Sequence, residues 1–213
     1  MGYSQEKRPK LLFIPTASSD SAEYVKVVEK YFGIKLGCKI DVLYLVNRKT
    51  TKKEIKNKIF NSDIIYVGGG NTLKMMNVWR RTGVDKILKQ AYGKGIVLSG
   101  LSAGAICWFK YGHSDSSKFK NKNAAYIKVK GLGLLDFLCC PHYDVEKGRN
   151  KSLKKIMKKE KISGIALDNC AALEVINNKY RILTSKRRAG AYKFYWKRGE
   201  YYEEKIENKG FIL

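Results

Sequence analysis

The first half of the chain repeats one pattern: a short apolar run, a polar loop, and then a segment with apolar residues at helical spacing. The apolar runs are residues 11–15 (LLFIP), 39–46 (KIDVLYLV), 63–67 (DIIYV) and 95–98 (GIVL). Near-continuous apolar strands that alternate with helices are typical of a parallel sheet that is covered on both faces. The sequence therefore predicts an α/β fold built on a doubly wound, mostly parallel sheet.

The second half of the chain has a different character. We expect a helix over residues 102–109, a polar loop over 111–123, strands over 125–129 and 136–140, and a lysine-rich helix over 145–161. The tail alternates strand-like runs with turn residues, which predicts antiparallel hairpins at the C-terminal edge of the sheet, 172–176 with 180–184 and 191–196 with 200–206. No linker composition interrupts the 213 residues, so a single domain over 1–213 is expected.

The composition is strongly basic, with 43 Lys and Arg residues against 19 Asp and Glu and a formal net charge of +24. These residues are spread along the chain, whereas nucleic-acid-binding proteins usually concentrate them on one face. A basic and aromatic cluster does occur in the tail, comprising Tyr192, Lys193, Tyr195, Trp196, Lys197 and Arg198. Since neighbouring residues of a strand face opposite sides, half of that cluster should lie in the core. Binding of nucleic acid or an acidic partner is therefore the alternative function, and nucleic acid is not an expected partner.

Five cysteines occur without a C-x-x-C pair, and the chain has only two histidines to complete a metal site. We expect reduced, buried thiols and neither a metal nor another cofactor. The N-terminus lacks the features of a signal peptide, and the longest uncharged stretch, residues 95–109, is too short to cross a bilayer. These features predict a cytoplasmic protein without a membrane partner. They do not decide between a monomer and a homodimer.

The sharpest local motif is Gly100-Leu101-Ser102-Ala103-Gly104, a G-x-S-x-G sequence between a predicted strand and a predicted helix. That context is typical of a nucleophile elbow, in which a tight turn lifts the serine hydroxyl clear of the sheet. The N–H of Ala103 could then stabilise a developing oxyanion. A serine that caps a helix after a glycine turn is the alternative interpretation.

A triple-glycine turn, GGGNT at residues 68–72, follows the preceding strand. The carboxyl ends of parallel strands meet at one edge of the sheet, where open α/β folds bind ligands. We therefore predict that the N–H of Gly69 or Gly70 is a second oxyanion donor, with Asn71 at the same substrate-binding edge as the cap of the next helix. Such a turn could equally hold a phosphate, although a phosphate loop would need Lys where Thr72 and Leu73 stand.

A serine nucleophile needs a base, and the two histidines are His113 and His142. His142 follows the predicted buried strand 136–140 and should emerge at the active edge, so we favour it over His113, which lies in the polar segment. Three carboxylates are candidates for the residue that orients the imidazole, and the sequence does not rank them firmly: Asp115, Asp144 and Asp168.

Taken in order, GGGNT after one strand, G-x-SAGA after the next and a strand ending in P-H-Y about 40 residues later resemble the dipeptidase E and cyanophycinase family of serine peptidases. The resemblance covers residues 11–175. It implies a fold related to the class I glutamine amidotransferases and the hydrolysis of small peptides.

By position, the resemblance implies that Ser102 is the nucleophile, His142 the general base, and Gly70 and Ala103 the oxyanion donors. The family's third residue has been placed in the loop after the nucleophile helix, which matches Asp115 here. It has also been placed after a later strand, which falls on Asp168 and the next residue, with the Glu of dipeptidase E aligned closer to Asn169.

Dipeptidase E is also similar in carrying an Arg early in the helix after the catalytic His, where it is thought to meet an acidic substrate side chain. Arg149 occupies a comparable place, and a guanidinium can hold a carboxylate through two parallel hydrogen bonds. The resemblance thus implies a preference for substrates with an acidic N-terminal residue. An exposed Arg at the start of a basic helix is the alternative interpretation of Arg149.

Two other enzyme classes share parts of this pattern. An α/β-hydrolase esterase has G-x-S-x-G, but its His follows the last strand, and no histidine occurs after His142. A glutamine amidotransferase has Cys at the elbow, where this chain has Ser102. We therefore expect a serine peptidase.

Overall fold

The structure is a computed structural model, and it describes residues 8–145 and 149–207. Its N-terminal half contains a parallel sheet with the strand order β2-β1-β3-β4. The strands are β1 (Lys10–Ile14), β2 (Lys39–Val42), β3 (Ile64–Val67) and β4 (Val97–Gly100). Four of the five β1 residues are buried, as expected for a strand with both faces covered.

Helices follow these strands, as the repeated sequence pattern predicted. They are α1 (Ala22–Val28, continued as a π-helix over Glu29–Lys35), α2 (Lys52–Phe60), α3 (Thr72–Thr82), α4 (Val84–Gly93), α5 (Ala103–Ile106) and α6 (Arg149–Glu160). The hydroxyl of Thr51 accepts from the Glu54 N–H, and the Asn71 side chain accepts from the Lys74 N–H. Thr51 therefore caps α2, and Asn71 caps α3 as the sequence indicated.

A second sheet has six strands in the order β12-β11-β8-β7-β5-β6, in which β11 is Ala191–Lys197 and β12 is Glu200–Lys205. Its first four strands in the chain are β5 (Phe109–Ser114), β6 (Ile127–Lys130), β7 (Leu135–Cys140) and β8 (Gly164–Leu167). β5, β7 and β8 are paired in parallel, so their carboxyl ends point the same way.

The helix predicted over residues 102–109 ends at Ile106, and the segment predicted as a loop from residue 111 is instead the buried strand β5. The helix packs closely on this strand, because a Cβ on Gly112 would lie 2.1 Å from Ile106 Cγ2. His113 and Ser114 of β5 are buried and hydrogen-bonded. Because these residues are polar, a search for runs of apolar residues does not identify this segment as a buried strand.

Antiparallel hairpins form the tail, as predicted. β11 (Ala191–Lys197) pairs with β8 and with β12 (Glu200–Lys205), and so extends the six-stranded sheet. β9 (Ala171–Ile176) and β10 (Lys179–Thr184) form a separate two-stranded sheet. Asn177 and Asn178 at its turn both have positive φ, 49° and 62°, the conformation of a type I′ turn.

The two larger sheets share a core through α5, whose Ala103 and Ile106 pack in the same buried cluster as Cys139 of β7. Four of the cysteines are buried, but Cys170 is exposed, which corrects the expectation that all five thiols are buried. No helix in the described ranges has the length and apolar character that a bilayer span requires.

Candidate active site

Ser102 occupies a strained turn between β4 and α5, with φ 56° and ψ −110°. A positive φ costs a residue other than glycine about 1–3 kcal/mol, and such strain persists where the surroundings enforce it. A Cβ on Gly100 would lie 2.2 Å from the carbonyl oxygen of Gly104, and a Cβ on Gly104 would lie 2.0 Å from that of Val67. The close packing at both positions leaves no room for a side chain, so the motif needs glycine on either side of the half-buried Ser102.

The triple-glycine turn after β3 lies directly against this elbow. A Cβ on Gly69 would be 3.3 Å from Ser102 Cβ and 3.9 Å from its Oγ. The N–H of Gly69 donates to the Tyr24 hydroxyl at 3.3 Å. Gly70 has φ 134°, and a Cβ there would lie 2.3 Å from the carbonyl oxygen of Ala17, in the loop after β1. The loops after β1, β3 and β4 therefore pack together around Ser102.

Two backbone N–H groups at this edge have no hydrogen-bond acceptor in the part of the chain that the structure describes. They are the N–H groups of Gly70 and Ala103. The N–H of Gly69 is already engaged by Tyr24. Asn71 uses both ends of its amide inside the protein, since Oδ1 accepts from the Lys74 N–H and Nδ2 donates to the Ser116 carbonyl.

Hydroxyl groups connect this edge to the carboxyl end of β5. Ser114 Oγ donates to Thr72 Oγ1 at 3.2 Å, and Ser116 Oγ accepts from the Leu73 N–H at 3.0 Å. α5 also packs against β5 and β7. The carboxyl ends of strands from both sheets therefore meet at one rim.

His142 lies on this rim, two residues after β7 ends at Cys140, and has φ 55°. Its Nδ1 is 2.7 Å from Oδ1 of Asn169, which follows β8. The Asn169 N–H donates to Asp144 Oδ1 at 2.8 Å, and the Tyr143 N–H donates to the Leu167 carbonyl at 3.1 Å. The loop that carries His142 and the loop after β8 are thus joined at several points.

Asp168, one of the expected orienting residues, faces a different part of the protein. Its Oδ2 accepts from the Gly190 N–H at 2.9 Å and from the Tyr192 hydroxyl at 3.4 Å. Burial raises the pKa of the Asp168 carboxyl above its ordinary value, and the Gly190 N–H opposes this shift. Asp168 therefore joins the end of β8 to the start of β11.

Asp115, the other carboxylate carried over from the family, precedes the short 3-10 helix Ser116–Phe119. Its carbonyl accepts from the Lys118 N–H at 2.7 Å, and the residue is half-buried. Within the described part of the chain, no hydrogen bond joins the Asp115 side chain to His142. The structure thus pairs the imidazole with an amide.

The remaining sequence candidates, His113 and Arg149, lie inside the protein. His113 is fully buried, with Nε2 3.0 Å from Ser152 Oγ and its ring stacked on Tyr126. Arg149 is 2% exposed, and its guanidinium donates to the His113 carbonyl at 3.3 Å and lies 4.8 Å from the Tyr126 ring centre. Neither side chain is presented to solvent at the rim.

The tail cluster considered for nucleic acid divides between two faces. Tyr192 and Trp196 pack against the core beneath α6, while Tyr195 stacks on Tyr202 on the other face at 5.2 Å. The hydroxyls of these two stacked tyrosines donate to Glu204 and Glu200. Carboxylates beside these half-buried rings disfavour the approach of a polyanion.

Two contacts at the site were not predicted from the residue pattern. The pairing of His142 with Asn169 joins residues 27 positions apart, and only the family resemblance, which aligns the third residue with Asp168 and Asn169, pointed to this segment. The contact of Tyr24 with Gly69 joins residues 45 positions apart. Tyr24 lies in a helix that was predicted only from the helical spacing of its apolar residues, which does not indicate a contact with the glycine turn.

Comparison with known proteins places these features in a family. The sequence profile of peptidase family S51 matches residues 2–183. The chain is 36% identical over 195 residues to the uncharacterised peptidase YgaJ of Bacillus subtilis, covering 91% of this chain and 81% of that protein. It is 31% identical over 150 residues to the uncharacterised peptidase Lmo0363 of Listeria monocytogenes, covering 69% of each.

Two solved structures have the same fold. A peptidase from an acI-B1 actinobacterium aligns with a TM-score of 0.67 at 18% identity, covering 93% of this chain and 81% of that one. A Listeria monocytogenes protein assigned to peptidase E aligns with a TM-score of 0.66 at 24% identity, covering 86% and 90%. The predicted α/β architecture is thereby confirmed.

Proposed function

The chain belongs to peptidase family S51, and from this premise we propose that it hydrolyses small peptides with Ser102 as the nucleophile and His142 as the general base. Membership makes it a serine-type peptidase that acts on peptide substrates. The proposal adds the residues that carry out the reaction.

The observation that supports this assignment most strongly is the conformation of Ser102. Its φ is 56°, it lies between two glycines whose positions leave no room for a side chain, and its Cβ lies beside Gly69. A serine that merely capped α5 would accept a hydrogen bond from a helix N–H, and the Ser102 side chain makes no such capping bond. The turn therefore suits a reactive hydroxyl better than a helix cap.

In the proposed reaction, Ser102 Oγ bonds to the scissile carbonyl carbon as its proton passes to His142 Nε2 and the carbonyl π electrons move to the oxygen. The intermediate then breaks its C–N bond, and His142 gives the proton to the leaving amine. Water attacks the acyl-enzyme by the same route, with its proton taken by His142, and releases the carboxylic acid and the free Ser102 hydroxyl.

The N–H groups of Gly70 and Ala103 are proposed to stabilise the negative oxygen of the intermediate. Both lack an acceptor within the described ranges; Gly70 belongs to the loop packed against Ser102, and Ala103 is the first residue of α5, directly after Ser102. Removing one preorganised donor from such a site typically lowers kcat by about 10²–10³. Gly69 has another role, since its N–H is held by Tyr24 and its missing side chain leaves room for the nucleophile.

Preference for an acidic N-terminal residue is not included in the proposal. It depended on a guanidinium reaching the substrate, and Arg149 is almost fully buried against His113 and Tyr126. A buried Arg would have to move and lose these contacts before it could meet a substrate carboxylate. We therefore expect equal rates on Asp-Leu and Ala-Leu.

A panel of dipeptides and short peptides tests the proposal. Wild type should hydrolyse some of them, and Ser102→Ala and His142→Ala should abolish the activity while the unfolding temperature stays within about 2 °C of the wild-type value. Ser99→Ala is the matched control, because Ser99 lies in β4 and its hydroxyl donates to the Ile65 carbonyl. Hydrolysis that survives in Ser102→Ala would refute the assignment.

A further inference from the structure

We propose that Tyr24 positions the triple-glycine turn, residues 68–70, and so determines which amide of this turn is left to meet the substrate. The inference rests on the proposed function, because it concerns the loop assigned there to stabilise the oxyanion. It goes beyond that assignment by giving a side chain of α1 a role in the reaction. Tyr24 acts through the backbone of Gly69 and not on the reacting atoms, so it is a positioning residue.

Backbone partners hold the two ends of the turn. The N–H of Gly68 donates to the carbonyl of Ile14, in β1, at 3.2 Å. The N–H of Asn71 donates to the carbonyl of Ala17, in the loop after β1, at 2.9 Å. Between these two points lie two glycines, and glycine restricts the backbone less than any other residue. The middle of the turn therefore needs a further contact to hold one conformation.

A side chain supplies that contact. The N–H of Gly69 donates to the Tyr24 hydroxyl at 3.3 Å. Within the described ranges, no acceptor is found for the N–H of Gly70. Of the two adjacent donors, one is thus occupied by Tyr24, and the other is the one proposed to stabilise the oxyanion. Without the Tyr24 hydroxyl, neither N–H would be fixed by a hydrogen bond within these ranges.

Tyr24 is itself held in place from several sides. The Ser21 hydroxyl, at the start of α1, accepts from the Tyr24 N–H at 3.2 Å. The Tyr24 ring meets that of Phe13 edge to face, with 5.1 Å between the ring centres. A Cβ on Gly68 would lie 3.0 Å from Tyr24 Cε1, so the ring lies directly against the turn. These contacts fix the ring whose hydroxyl orients the amide of Gly69.

The proposed role depends on the hydroxyl and not on the ring. A phenylalanine at this position would fill the same space against Phe13 and Gly68. What the hydroxyl adds is the hydrogen bond to the N–H of Gly69. An oxyanion donor acts mainly in the transition state, so its displacement slows the chemical step and leaves the initial binding of a reagent largely unchanged. Tyr24→Phe therefore separates positioning from packing.

The first measurement uses the full-length protein and a fluorophosphonate. In this reaction Ser102 Oγ bonds to phosphorus, fluoride leaves and the hydroxyl proton passes to His142, while the phosphoryl oxygen takes the place of the oxyanion. The first-order inactivation constant and the half-saturating reagent concentration are measured for wild type and Tyr24→Phe. Tyr31→Phe is the matched control, because Tyr31 is an exposed tyrosine of the π-helix that continues α1.

The second measurement follows the turn itself. Hydrogen exchange of the Gly69 amide, observed by NMR in the isotope-labelled protein, reports whether the Tyr24 hydroxyl holds this N–H. In Tyr24→Phe the amide should exchange about fivefold faster or more, the factor that corresponds to the loss of one hydrogen bond. This readout does not depend on the reaction at Ser102.

We expect the two kinetic constants to respond differently. Tyr24→Phe should lower the first-order constant by about tenfold, a part of the 10²–10³ that is lost when one oxyanion donor is removed. The half-saturating concentration should stay within about twofold of the wild-type value. The unfolding temperature should fall by only about 2–4 °C, as expected for the loss of one hydrogen bond. Tyr31→Phe should match wild type in every measurement.

The outcomes separate this inference from the proposed function. Absence of labelling at Ser102 in wild type would contradict the function itself, and the role of Tyr24 in the reaction would fall with it. With wild type labelled, an unchanged first-order constant in folded Tyr24→Phe would overturn the positioning role alone. A lowered constant without faster exchange of the Gly69 amide, or a loss confined to the half-saturating concentration, would overturn it too.

Discussion

Gly69 lies against Ser102, so closely that a Cβ on Gly69 would be 3.3 Å from the Cβ of Ser102. Gly69 has no positive φ, so its backbone accepts alanine. The added methyl group would crowd the serine without straining the turn. We predict that Gly69→Ala lowers kcat/KM by about tenfold or more. A displacement of about 1 Å at a reacting group can lower the reaction rate by about 10²-fold.

Gly93→Ala is the matched control for this substitution. It lies at the end of α4, and a Cβ there would meet no atom within 4 Å. Steady-state kinetics and thermal unfolding of both variants, measured side by side, separate crowding of Ser102 from a general effect of losing a glycine. Equal activity of Gly69→Ala and Gly93→Ala would show that Gly69 does not limit the position of the serine.

The glycine that ends the elbow motif should matter for folding as well as for activity. A Cβ on Gly104 would lie 2.0 Å from the carbonyl oxygen of Val67, closer than any real contact. Backbone atoms on both sides must move, and overpacking of this kind costs about 1–3 kcal/mol or more. We predict that Gly104→Ala lowers the urea midpoint markedly relative to Gly93→Ala. An unchanged midpoint would mean that the elbow tolerates a side chain there.

Asp168 should make stability depend on pH in a defined direction. Burial raises the pKa of the Asp168 carboxyl above its ordinary value of 3.8, so the folded state binds a proton more tightly than the unfolded state. The contribution of Asp168 to the free energy of unfolding is therefore full below pH 3.8 and is lost as pH rises through the higher pKa of the folded state.

Asp168→Asn removes this titration while keeping an oxygen acceptor for the Gly190 N–H. The free energy of unfolding of wild type minus that of Asp168→Asn should increase as pH falls through this window. Urea titrations at several pH values measure it, and a difference that shrinks toward low pH would contradict the assigned shift.

The cysteines should differ sharply in reactivity. Cys170 is exposed, whereas Cys38, Cys107, Cys139 and Cys140 are buried. Burial raises the pKa of the Cys107 and Cys139 thiols, which further reduces the thiolate that reacts with alkylating reagents. We predict that iodoacetamide modifies Cys170 first under native conditions, as read by peptide mass spectrometry. Alkylation of one of the buried cysteines at a similar rate would contradict the burial of that thiol.

Much of the architecture follows from local patterns in the sequence. Apolar runs predicted β1, β3 and β4, turn residues such as Asn177 and Asn178 predicted the hairpins, and the family resemblance is confirmed. The elbow was predictable because its cause is local: Gly100 and Gly104 lie within four residues of each other and of Ser102.

The parts that sequence reasoning missed depend on contacts between distant segments. β5 contains His113 and Ser114, whose polar groups are satisfied by Ser152 and Thr72. Arg149 has the spacing of a surface residue at the start of a basic helix, yet tertiary packing buries it. No local pattern distinguishes Asp168 from Asn169, since their orientations depend on partners in β11 and in the His142 loop.

The central claim is that Ser102 is a nucleophile activated by His142. The most direct test is to treat the protein with a fluorophosphonate, digest it and locate the phosphonyl group by tandem mass spectrometry. The account predicts one adduct, on Ser102, in wild type, and none at that position in folded His142→Ala over the same time. An adduct on another residue, or equal labelling of Ser102 without His142, would contradict it.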